Sequence, residues 1–579
     1  MPHGRELESM TGRPATEATC AVREVRDFLL ANRTDYDATI AGFRWPELSE
    51  FNFALDWFDV VAGQHPDRAA VTIVAADLVA QSWTYAELSR RSDQMANWLL
   101  SLGVRRGSKL IVMLNNTIEL WEVMLGIYKI GAVAIPTSTL LSAAELAYRI
   151  EYGEASAVVT PAALAGRFTE LDEKLIRIGV GADLPAGWVD VDASHQASDT
   201  FTPDGPTPAG DPSLLYFTSG TTSHPKLVRH TQVSYPVGHL STMWWLGVQP
   251  GDIHLNISSP GWGKHAWSNF FAPFLAEATV FVFNYDRFDA ASLMKVMDAH
   301  QVTTFCAPPT VWRMLIQADL TQLSHPPREL LGAGEPLNPE VITKVRQAWG
   351  GTIRDGFGQT EMTCCIGNGP GQVVKDGSMG RPMPGYPVVL LEPTTGEPRA
   401  DEGEICLDLS QPILGLMDGY HNDPQMTAEA CRDGFYHTGD IASMDAEGYL
   451  TYVGRADDVF KASDYKISPF ELESILLEHP YVTEVAIVPS PDPVRAAVPK
   501  AFVCLVAEAA GRQVEAARAI FAHAQSRLSG YQRVRIVEFV TELPKTISGK
   551  IRRVELRERE AVRVAAHDST GQFWERDFR

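Results

Sequence analysis

Two short stretches decide how this chain is interpreted. Residues 216–226 read Tyr-Phe-Thr-Ser-Gly-Thr-Thr-Ser-His-Pro-Lys, and residues 543–550 read Leu-Pro-Lys-Thr-Ile-Ser-Gly-Lys. Glycine lets a backbone approach an anion, and Ser, Thr and Lys side chains donate hydrogen bonds to it, so the first stretch predicts a polyphosphate-binding loop. The second stretch ends in Lys550, a flexible cation beside glycine, which we expect to lie on a separate domain.

Length and charge exclude several classes of protein. A chain of 579 residues is too long for a single hydrophobic core, so we expect at least two domains. Hydrophobic residues make up 45% and charged residues 21%, which is typical of globular proteins. The net charge of −22 argues against a nucleic-acid partner and against adhesion to anionic membranes.

The cysteines and the N-terminal residues predict a cytoplasmic protein. The 7 cysteines are scattered without zinc-type spacing, as in a reducing compartment. The first residues carry charges at Arg5, Glu6 and Glu8 and lack an apolar signal core. No apolar run approaches the roughly 20 residues that span a bilayer, so we expect no membrane partner.

Helical and strand-like patterns alternate from Asn52 onward. Helices are predicted at 84–102, 118–130 and 290–300, and strands at 109–114, 132–136, 279–283 and 303–306. Such alternation indicates crossover units and mostly parallel sheets. Because the pattern occurs twice, we predict an α/β fold with two stacked sheets in a large N-terminal domain.

The pattern changes after Gly385. Short strands separated by turns at 388–391, 403–407 and 448–453 predict a small β-barrel. The charged turn at 454–458 marks the expected domain boundary. We therefore predict a large domain over 1–454 and a small, mobile α+β domain over 455–579 that carries Lys550.

Further motifs bear polar groups suited to a nucleotide. The loop at 218–226 lacks the Gly-Lys-Ser/Thr ending of a Walker P-loop. Glu361, at the end of Asp-Gly-Phe-Gly-Gln-Thr-Glu (355–361), is a candidate Mg²⁺ ligand. The turn at 332–336 could hold a flat base, and Asp440, predicted at a strand end, could accept ribose hydroxyls with help from Arg455. Taken singly, each motif is also compatible with an ordinary turn or surface residue, but together they favour ATP-dependent activation of a carboxylate.

In this order, the motifs resemble those of the adenylate-forming (AMP-binding) superfamily, which contains acyl-CoA synthetases, adenylation domains and firefly luciferase. The resemblance covers roughly residues 50–560 and is closest to medium-chain acyl-CoA synthetases, through 51–56, 334–339 and 490–495. It implies an AMP-forming ligase of fatty-acid or lipid metabolism, whose carboxylic acid, ATP with Mg²⁺, and CoA react through an acyl-adenylate. It allows a homo-oligomer, and the sequence does not fix the oligomeric state.

The resemblance assigns roles by position. Lys550 and Thr360 would contact the reacting acyl and phosphate oxygens, and Glu361 would bind Mg²⁺. Asp457 matches the hinge about which the small domain rotates between the two half-reactions. The implied ATP-binding residues are Thr218, Ser219, Gly220, Thr221, Thr222, Lys226, Gly334, Glu335, Pro336, Asp355, Gly356, Phe357, Gly358, Gln359, Asp440 and Arg455. The implied CoA-binding residues are Ser463, Asp464, Tyr465, Lys466 and Arg495.

Two departures from the family pattern concern these loops. Ser223 replaces a glycine common in the phosphate loop, and we expect ATP binding to survive. Asp464 replaces a glycine that lets pantetheine pass, so this departure bears on acyl transfer to CoA and not on adenylation.

The alternative functions are a ligase that passes the acyl group to a carrier protein or another nucleophile, and an inactive nucleotide-binding protein.

The acyl pocket is partly predictable. Acetate-specific relatives carry tryptophan at the position of Gly358, so glycine predicts a deeper pocket for a medium-chain, branched or aromatic acid. Trp262 and Met362 are further candidates for its lining. Trp267 and Phe270 fit either the pocket or the core.

Overall fold

The computed structural model describes residues 13–169, 171, 174–218, 225–462, 465–492, 495–546 and 550–578. The chain divides into two compact units. The larger unit comprises Met1–Pro387 and Asp408–Phe435, and the smaller unit comprises Val388–Leu407 and Tyr436–Arg579. The boundary predicted at 454/455 separates the parts of the chain that we expect to move, and it stays a prediction.

One sheet of the larger unit has nine strands. Its six central strands are parallel, and antiparallel strands complete both edges. In spatial order the strands are Arg381–Pro382, Ile366–Gly367, Ile353–Phe357, Glu329–Ala333, Thr304–Ala307, Ile253–Asn256, Thr279–Phe283, Ala69–Val74 and Ala80–Thr84.

A second sheet of the larger unit has eight strands. The parallel part continues at one edge into the antiparallel hairpin that bears the predicted phosphate loop. In spatial order the strands are Gly419–Tyr420, Lys226–Thr231, Pro212–Thr218, Val133–Pro136, Lys109–Val112, Ala157–Pro161, Ile176–Val180 and Val189–Asp190. Two mixed, mainly parallel sheets are what the alternating pattern predicts.

Helices connect these strands, as expected for crossover units. The α-helices of the larger unit are Glu17–Ala31, Tyr36–Gly42, Asp59–Gln64, Tyr85–Ser101, Ile118–Ile130, Ala143–Tyr152, His239–Leu246, Gly263–Ala266, Ala272–Leu275, Ala290–Ala299, Pro309–Leu315, Pro339–Trp349 and Pro424–Ala430. Single π-helical turns occur at Phe53–Phe58 and Trp267–Phe271, 3₁₀ turns at Ala162–Phe168, Val191–Gln196 and Leu320–Gln322, and a short strand at Cys431–Arg432.

The first β-rich part of the smaller unit is an open sheet. Its strands lie in the order Pro398–Arg399, Val388–Leu391, Glu402–Asp408, Phe435–Met444 and Cys431–Arg432, and Leu450–Arg455 also pairs with Phe435–Met444. The predicted small barrel is not found, since the strands of the described residues do not close into one. Closure needs hydrogen bonds between the two edge strands, and this path ends at a two-residue strand.

The rest of the smaller unit is α+β, as predicted. A hairpin of Phe460–Ala462 and Tyr465–Ile467 precedes a sheet of Val482–Asp492, Ala496–Leu505, Ile536–Phe539 and Gln572–Trp574. The helices are Pro469–Leu477, Gln513–Arg527 and Arg553–Ala565, with 3₁₀ turns at Ala507–Ala509 and Glu575–Phe578. Ile467, Leu472, Val503 and Phe521 lie in its hydrophobic core.

Local signals explain the best-predicted helices. Thr84 caps Tyr85–Ser101 in a capping box with Glu87, and Gly131 ends Ile118–Ile130 in the left-handed conformation. None of the helices in the described part of the chain is both long and apolar enough to cross a membrane.

Candidate active site

The phosphate loop joins two paired strands of the larger unit. Thr218 ends one strand and Lys226 begins the next, and the two residues are register partners. The predicted ligands Ser219, Gly220, Thr221 and Thr222 lie outside the described residues, as does Ser223. The hairpin therefore fixes both ends of the loop.

Tyr420 links the phosphate hairpin to the predicted metal ligand. The Lys226 Nζ atom lies 5.2 Å from the centre of the Tyr420 ring. The Tyr420 hydroxyl donates a hydrogen bond of 2.9 Å to Oε1 of Glu361. Both Tyr420 and Glu361 are buried. Two predicted site residues from separate motifs are thus brought together by a third residue.

A buried histidine supports the adjacent threonine. Nε2 of His230 donates to the backbone carbonyl of Thr360 at 2.8 Å, so Nδ1 accepts from the Ser234 hydroxyl at 3.1 Å. Burial lowers the pKa of His230 to about 4, although the bond to Thr360 works in the opposite direction. The imidazole is therefore neutral at physiological pH, and it holds Thr360 without adding a positive charge.

The predicted base-binding turn lies beside the strand that leads to Glu361. Gly332 pairs with Asp355 in register, which places Gly334, Glu335 and Pro336 at the carboxyl end of the neighbouring parallel strand. Ligands of open α/β sheets commonly bind at such ends.

Asp355, Gly356 and Phe357 lie within the strand Ile353–Phe357. The Asp355 carboxylate accepts from the amide of Leu337 at 3.4 Å, and burial raises its pKa to about 7. The Asp355 carboxylate thus holds the backbone at Leu337. Gly358, Gln359 and Thr360 follow the end of the strand.

Gly358 is in close contact with an aromatic ring. A Cβ atom added there would lie 2.4 Å from Cη2 of Trp267 and 2.5 Å from the Thr363 carbonyl oxygen. The Trp267 indole donates to the Tyr235 hydroxyl at 2.8 Å. Glycine at 358 therefore makes room for Trp267, and the deeper pocket remains a prediction.

The other acyl-pocket candidates differ in their surroundings. Trp262 is half-buried just before the helix Gly263–Ala266, and Met362 is fully buried in a bridge to Leu416. Phe270 packs against several aromatic rings, including Phe53 at 5.8 Å, which is core packing.

The predicted ribose ligands come together in the smaller unit. Arg455 lies 3.5 Å from Asp440 and 3.4 Å from Asp457, the predicted hinge residue. Although burial opposes its charge, Asp440 and Asp457 raise the pKa of Arg455. Asp440 lies inside the strand Phe435–Met444, and not at a strand end as predicted, because the strand continues through Gly439. The Tyr452 hydroxyl donates to the Asp440 carboxylate at 3.0 Å.

Lys550 is an exposed residue of the smaller unit. The amide of Thr546 donates to the Lys550 carbonyl at 2.8 Å, and Lys545 forms a bridge with Ile551. The helix Arg553–Ala565 begins three residues later. A free side chain on an anchored backbone fits the role that the resemblance gives to Lys550.

The predicted CoA-binding residues are only partly described. Ser463 and Asp464 lie outside the described residues. Tyr465 stacks on Tyr531 with ring centres 4.3 Å apart, and Lys466 forms a salt bridge of 2.6 Å with Glu402. Arg495 is exposed in the turn after Val482–Asp492. Their role in binding CoA stays a prediction.

Sequence reasoning missed several side chains that contact predicted site residues, among them Tyr420, His230 and Tyr452. Two of these contacts join segments distant in sequence, 59 positions apart for Glu361 and Tyr420 and 130 for His230 and Thr360, whereas Tyr452 and Asp440 are 12 positions apart on paired strands.

The sequence matches the family described as AMP-binding enzyme over residues 58–421, and the AMP-binding enzyme C-terminal domain over residues 471–550. The chain belongs to the AMP-binding enzyme family. It is 42% identical over 481 residues to 4-hydroxybutyrate–CoA ligase 1 of Metallosphaera sedula, covering 82% of this chain and 84% of the relative. It is 36% identical over 548 residues to the mitochondrial acyl-coenzyme A synthetase ACSM3 of Homo sapiens, covering 91% and 93%.

Solved structures give the same assignment for this AMP-binding enzyme. The anthranilate CoA ligase AuaEII, in complex with anthranoyl-AMP, superposes with a TM-score of 0.78 at 26% identity, covering 90% of this chain and 99% of that one. A benzoate CoA ligase from Burkholderia xenovorans LB400 superposes with a TM-score of 0.75 at 25% identity, covering 88% and 100%.

Proposed function

We propose that this protein is an AMP-forming acyl-CoA ligase that activates a carboxylic acid larger than acetate. The observation that carries the proposal is the chain of contacts from Lys226 through Tyr420 to Glu361 in the larger unit. It joins a phosphate-loop cation to a carboxylate suited to Mg²⁺. Relatives that span most of the chain and are described as CoA ligases support the same activity.

The first half-reaction forms an acyl-adenylate. A carboxylate oxygen of the acid attacks the α-phosphorus of ATP, the bond between the α-phosphorus and the bridging oxygen breaks, and pyrophosphate leaves with the electron pair. Such transfers depend on positioning and charge neutralisation. In the proposed mechanism Lys226 neutralises phosphate charge, Thr360 holds the α-phosphate, and Lys550 supplies the positive charge that the reacting oxygens need.

The residues near Glu361 fit a magnesium ion. Mg²⁺ prefers one or two carboxylates together with substrate phosphates, and Glu361 offers a carboxylate whose Oε1 is already hydrogen-bonded. When bound, Mg²⁺ would neutralise charge on the phosphate oxygens. Glu361 would hold it, and Tyr420 would orient Glu361.

The second half-reaction forms the thioester. The CoA sulfur attacks the acyl carbon, the bond to the adenylate oxygen breaks, AMP leaves, and the thiol proton passes to solvent. Lys550 is not needed for this step, so we propose that a rotation about Asp457 withdraws it. The exposed residues Tyr465, Lys466 and Arg495 are proposed to receive CoA.

An ATP–pyrophosphate exchange screen tests the proposal. Acetate, hexanoate, 4-hydroxybutyrate and benzoate are each supplied with ATP and Mg²⁺, and the reaction is then repeated with CoA while the thioester is detected. We expect exchange with at least one of the larger acids and thioester formation with the same acid. Exchange with acetate alone would refute the size assignment, and exchange without any thioester would favour a different acceptor.

A variant separates the two half-reactions. Lys550→Ala should abolish exchange, because the cation at the reacting oxygens is lost, yet still convert a preformed acyl-adenylate to the thioester. Lys545→Ala, which removes a neighbouring lysine paired with Glu484, is the matched control. Loss of both half-reactions in Lys550→Ala alone would contradict the division of labour.

A further inference from the structure

Tyr420 lies on a short edge strand next to the phosphate hairpin. The strand Gly419–Tyr420 pairs antiparallel with Lys226–Thr231, so that Tyr420 is opposite Val228. The Tyr420 amide donates to the Thr427 hydroxyl at 2.9 Å, and Gly419 has a φ of 135°, which only glycine adopts readily. The backbone of Tyr420 is therefore firmly held.

The segment before Tyr420 also holds the backbone of Glu361. The amide of Met417 donates to the Glu361 carbonyl at 2.7 Å, and Leu416 forms a bridge with Met362. Glu361 is thus fixed at its main chain by this segment and at its side chain by the Tyr420 hydroxyl. The Glu361 carboxylate is therefore held in one orientation, in which Oε1 accepts the hydrogen bond from the Tyr420 hydroxyl.

The Tyr420 ring has a second contact. Lys226 Nζ lies 5.2 Å from the ring centre, within the range of a cation–π interaction. This contact restricts a long, flexible side chain at the start of the strand that leaves the phosphate loop. One side chain therefore contacts both charged groups that the proposed function assigns to the polyphosphate and its cation.

We propose that Tyr420 is a positioning residue for metal-bound ATP. Its hydroxyl occupies Oε1 of Glu361, so that Oε2 would be left to hold the cation, and its ring restricts Lys226, which would bind the phosphates. Hydrogen bonds to a ligating carboxylate commonly change metal affinity by about 10-fold to 100-fold. The inference rests on the proposed function, because it takes Glu361 as the cation ligand.

The two contacts can be separated by substitution. Tyr420→Phe removes the hydrogen bond to Glu361 and keeps the ring under Lys226, whereas Tyr420→Leu removes both. Tyr85→Phe is the matched control, since Tyr85 is also buried in the larger unit and its hydroxyl donates to a backbone carbonyl, that of Ala278, at 2.9 Å.

Metal binding is measured on the full chain with Mn²⁺ as the probe. The electron paramagnetic resonance signal of free Mn²⁺ is titrated with enzyme at saturating ATP, and ATP binding without divalent cation is measured by calorimetry in EDTA. We expect Tyr420→Phe to weaken Mn²⁺ binding about 10-fold or more, with metal-free ATP binding within about 3-fold of the parent. Tyr420→Leu should weaken both, and Tyr85→Phe neither.

A double variant distinguishes positioning from general destabilisation. If Tyr420 acts through Glu361, Tyr420→Phe adds no further loss of Mn²⁺ affinity in a Glu361→Gln background. Unchanged Mn²⁺ binding in Tyr420→Phe, equal loss in Tyr85→Phe, or full additivity with Glu361→Gln would each overturn the inference. Unchanged Mn²⁺ binding in Glu361→Gln alone would instead remove Glu361 as the metal ligand, and a lack of exchange by the parent with every acid would remove the proposed function.

Discussion

Acidification should destabilise the larger unit through its buried histidines. His230, His239, His254 and His265 are all at most 5% exposed. Burial lowers the pKa of His230 to about 4 and those of the other three to about 3. In the unfolded chain a histidine titrates near pH ~6.5. The unfolded chain therefore binds more protons below that pH, and the free energy of unfolding falls as the pH falls from about 6.5 towards 4.

The magnitude follows from the separation of the two pKa values. At pH 5 each buried imidazole lowers the free energy of unfolding by about 2 kcal/mol relative to neutral pH. Four of them lower it by about 8 kcal/mol, and Asp355, whose pKa burial raises to about 7, offsets about 2 kcal/mol of this because its folded carboxyl takes up a proton over the same range. The net loss of about 6 kcal/mol is comparable with the whole stability of a typical domain. We expect the larger unit to be much less stable at pH 5 than at pH 7.

The assay is urea unfolding followed by tryptophan fluorescence at pH 7 and pH 5. All tryptophans except Trp574 lie in the larger unit, so the signal reports its transition. His254→Asn keeps a hydrogen-bonding partner for Thr304, which lies 2.7 Å from His254 Nδ1, but removes the titration. The loss between pH 7 and 5 should then be about 2 kcal/mol smaller than in the parent. His325→Asn, at an exposed site, should match the parent; equal losses in all three proteins would refute the reasoning.

Three other substitutions test single contacts. Arg553→Met should lower the free energy of unfolding of the smaller unit by about 3–5 kcal/mol, because it leaves the buried Glu473 carboxylate without its arginine partner. The double variant Glu473→Leu with Arg553→Met should lower it far less, because no unpaired charge remains at residue 473. Hydrogen exchange of the four-stranded sheet measures both changes. Tyr452→Phe should raise the KM for ATP several-fold and leave the KM for the acid unchanged, because Asp440 loses a hydrogen bond of 3.0 Å. Gly358→Ala should weaken binding of the larger acids and lower the melting temperature, because the new methyl group overlaps the Trp267 indole ring. An unchanged melting temperature and unchanged acid binding would contradict the close packing at this glycine.

Regular elements with strong local signals were predictable from the sequence. The pattern at 118–130 matches the helix Ile118–Ile130, and the proline at 469 marks the start of Pro469–Leu477. Local capping and periodicity decide such elements. The barrel prediction was wrong because closure depends on which strands pair at the edges, and short strands with turns do not encode that pairing.

The candidate site was predictable as a set of motifs but not as a set of contacts. Lys226, Glu361 and Asp440 are marked by their surrounding sequence. Tyr420 and Tyr452 are not, because their hydroxyls reach across folded segments to carboxylates whose positions only the tertiary structure sets. Both hydroxyls donate to carboxylates that the sequence marks as candidate ligands.

In the smaller unit, ion pairs connect the helix that follows Lys550 to the segment that contains the predicted hinge. The helix that begins three residues after Lys550 carries Arg553 and Arg557, and both pair with Asp458, next to Asp457. Because Asp458 is largely buried, losing either arginine would leave charge poorly compensated, so this helix and the hinge segment are bound to move together. A rotation about Asp457 would therefore be expected to carry the helix Arg553–Ala565, and Lys550 just before it, along with the hinge segment. In this way one cation can serve the first half-reaction and be withdrawn for the second without any local refolding.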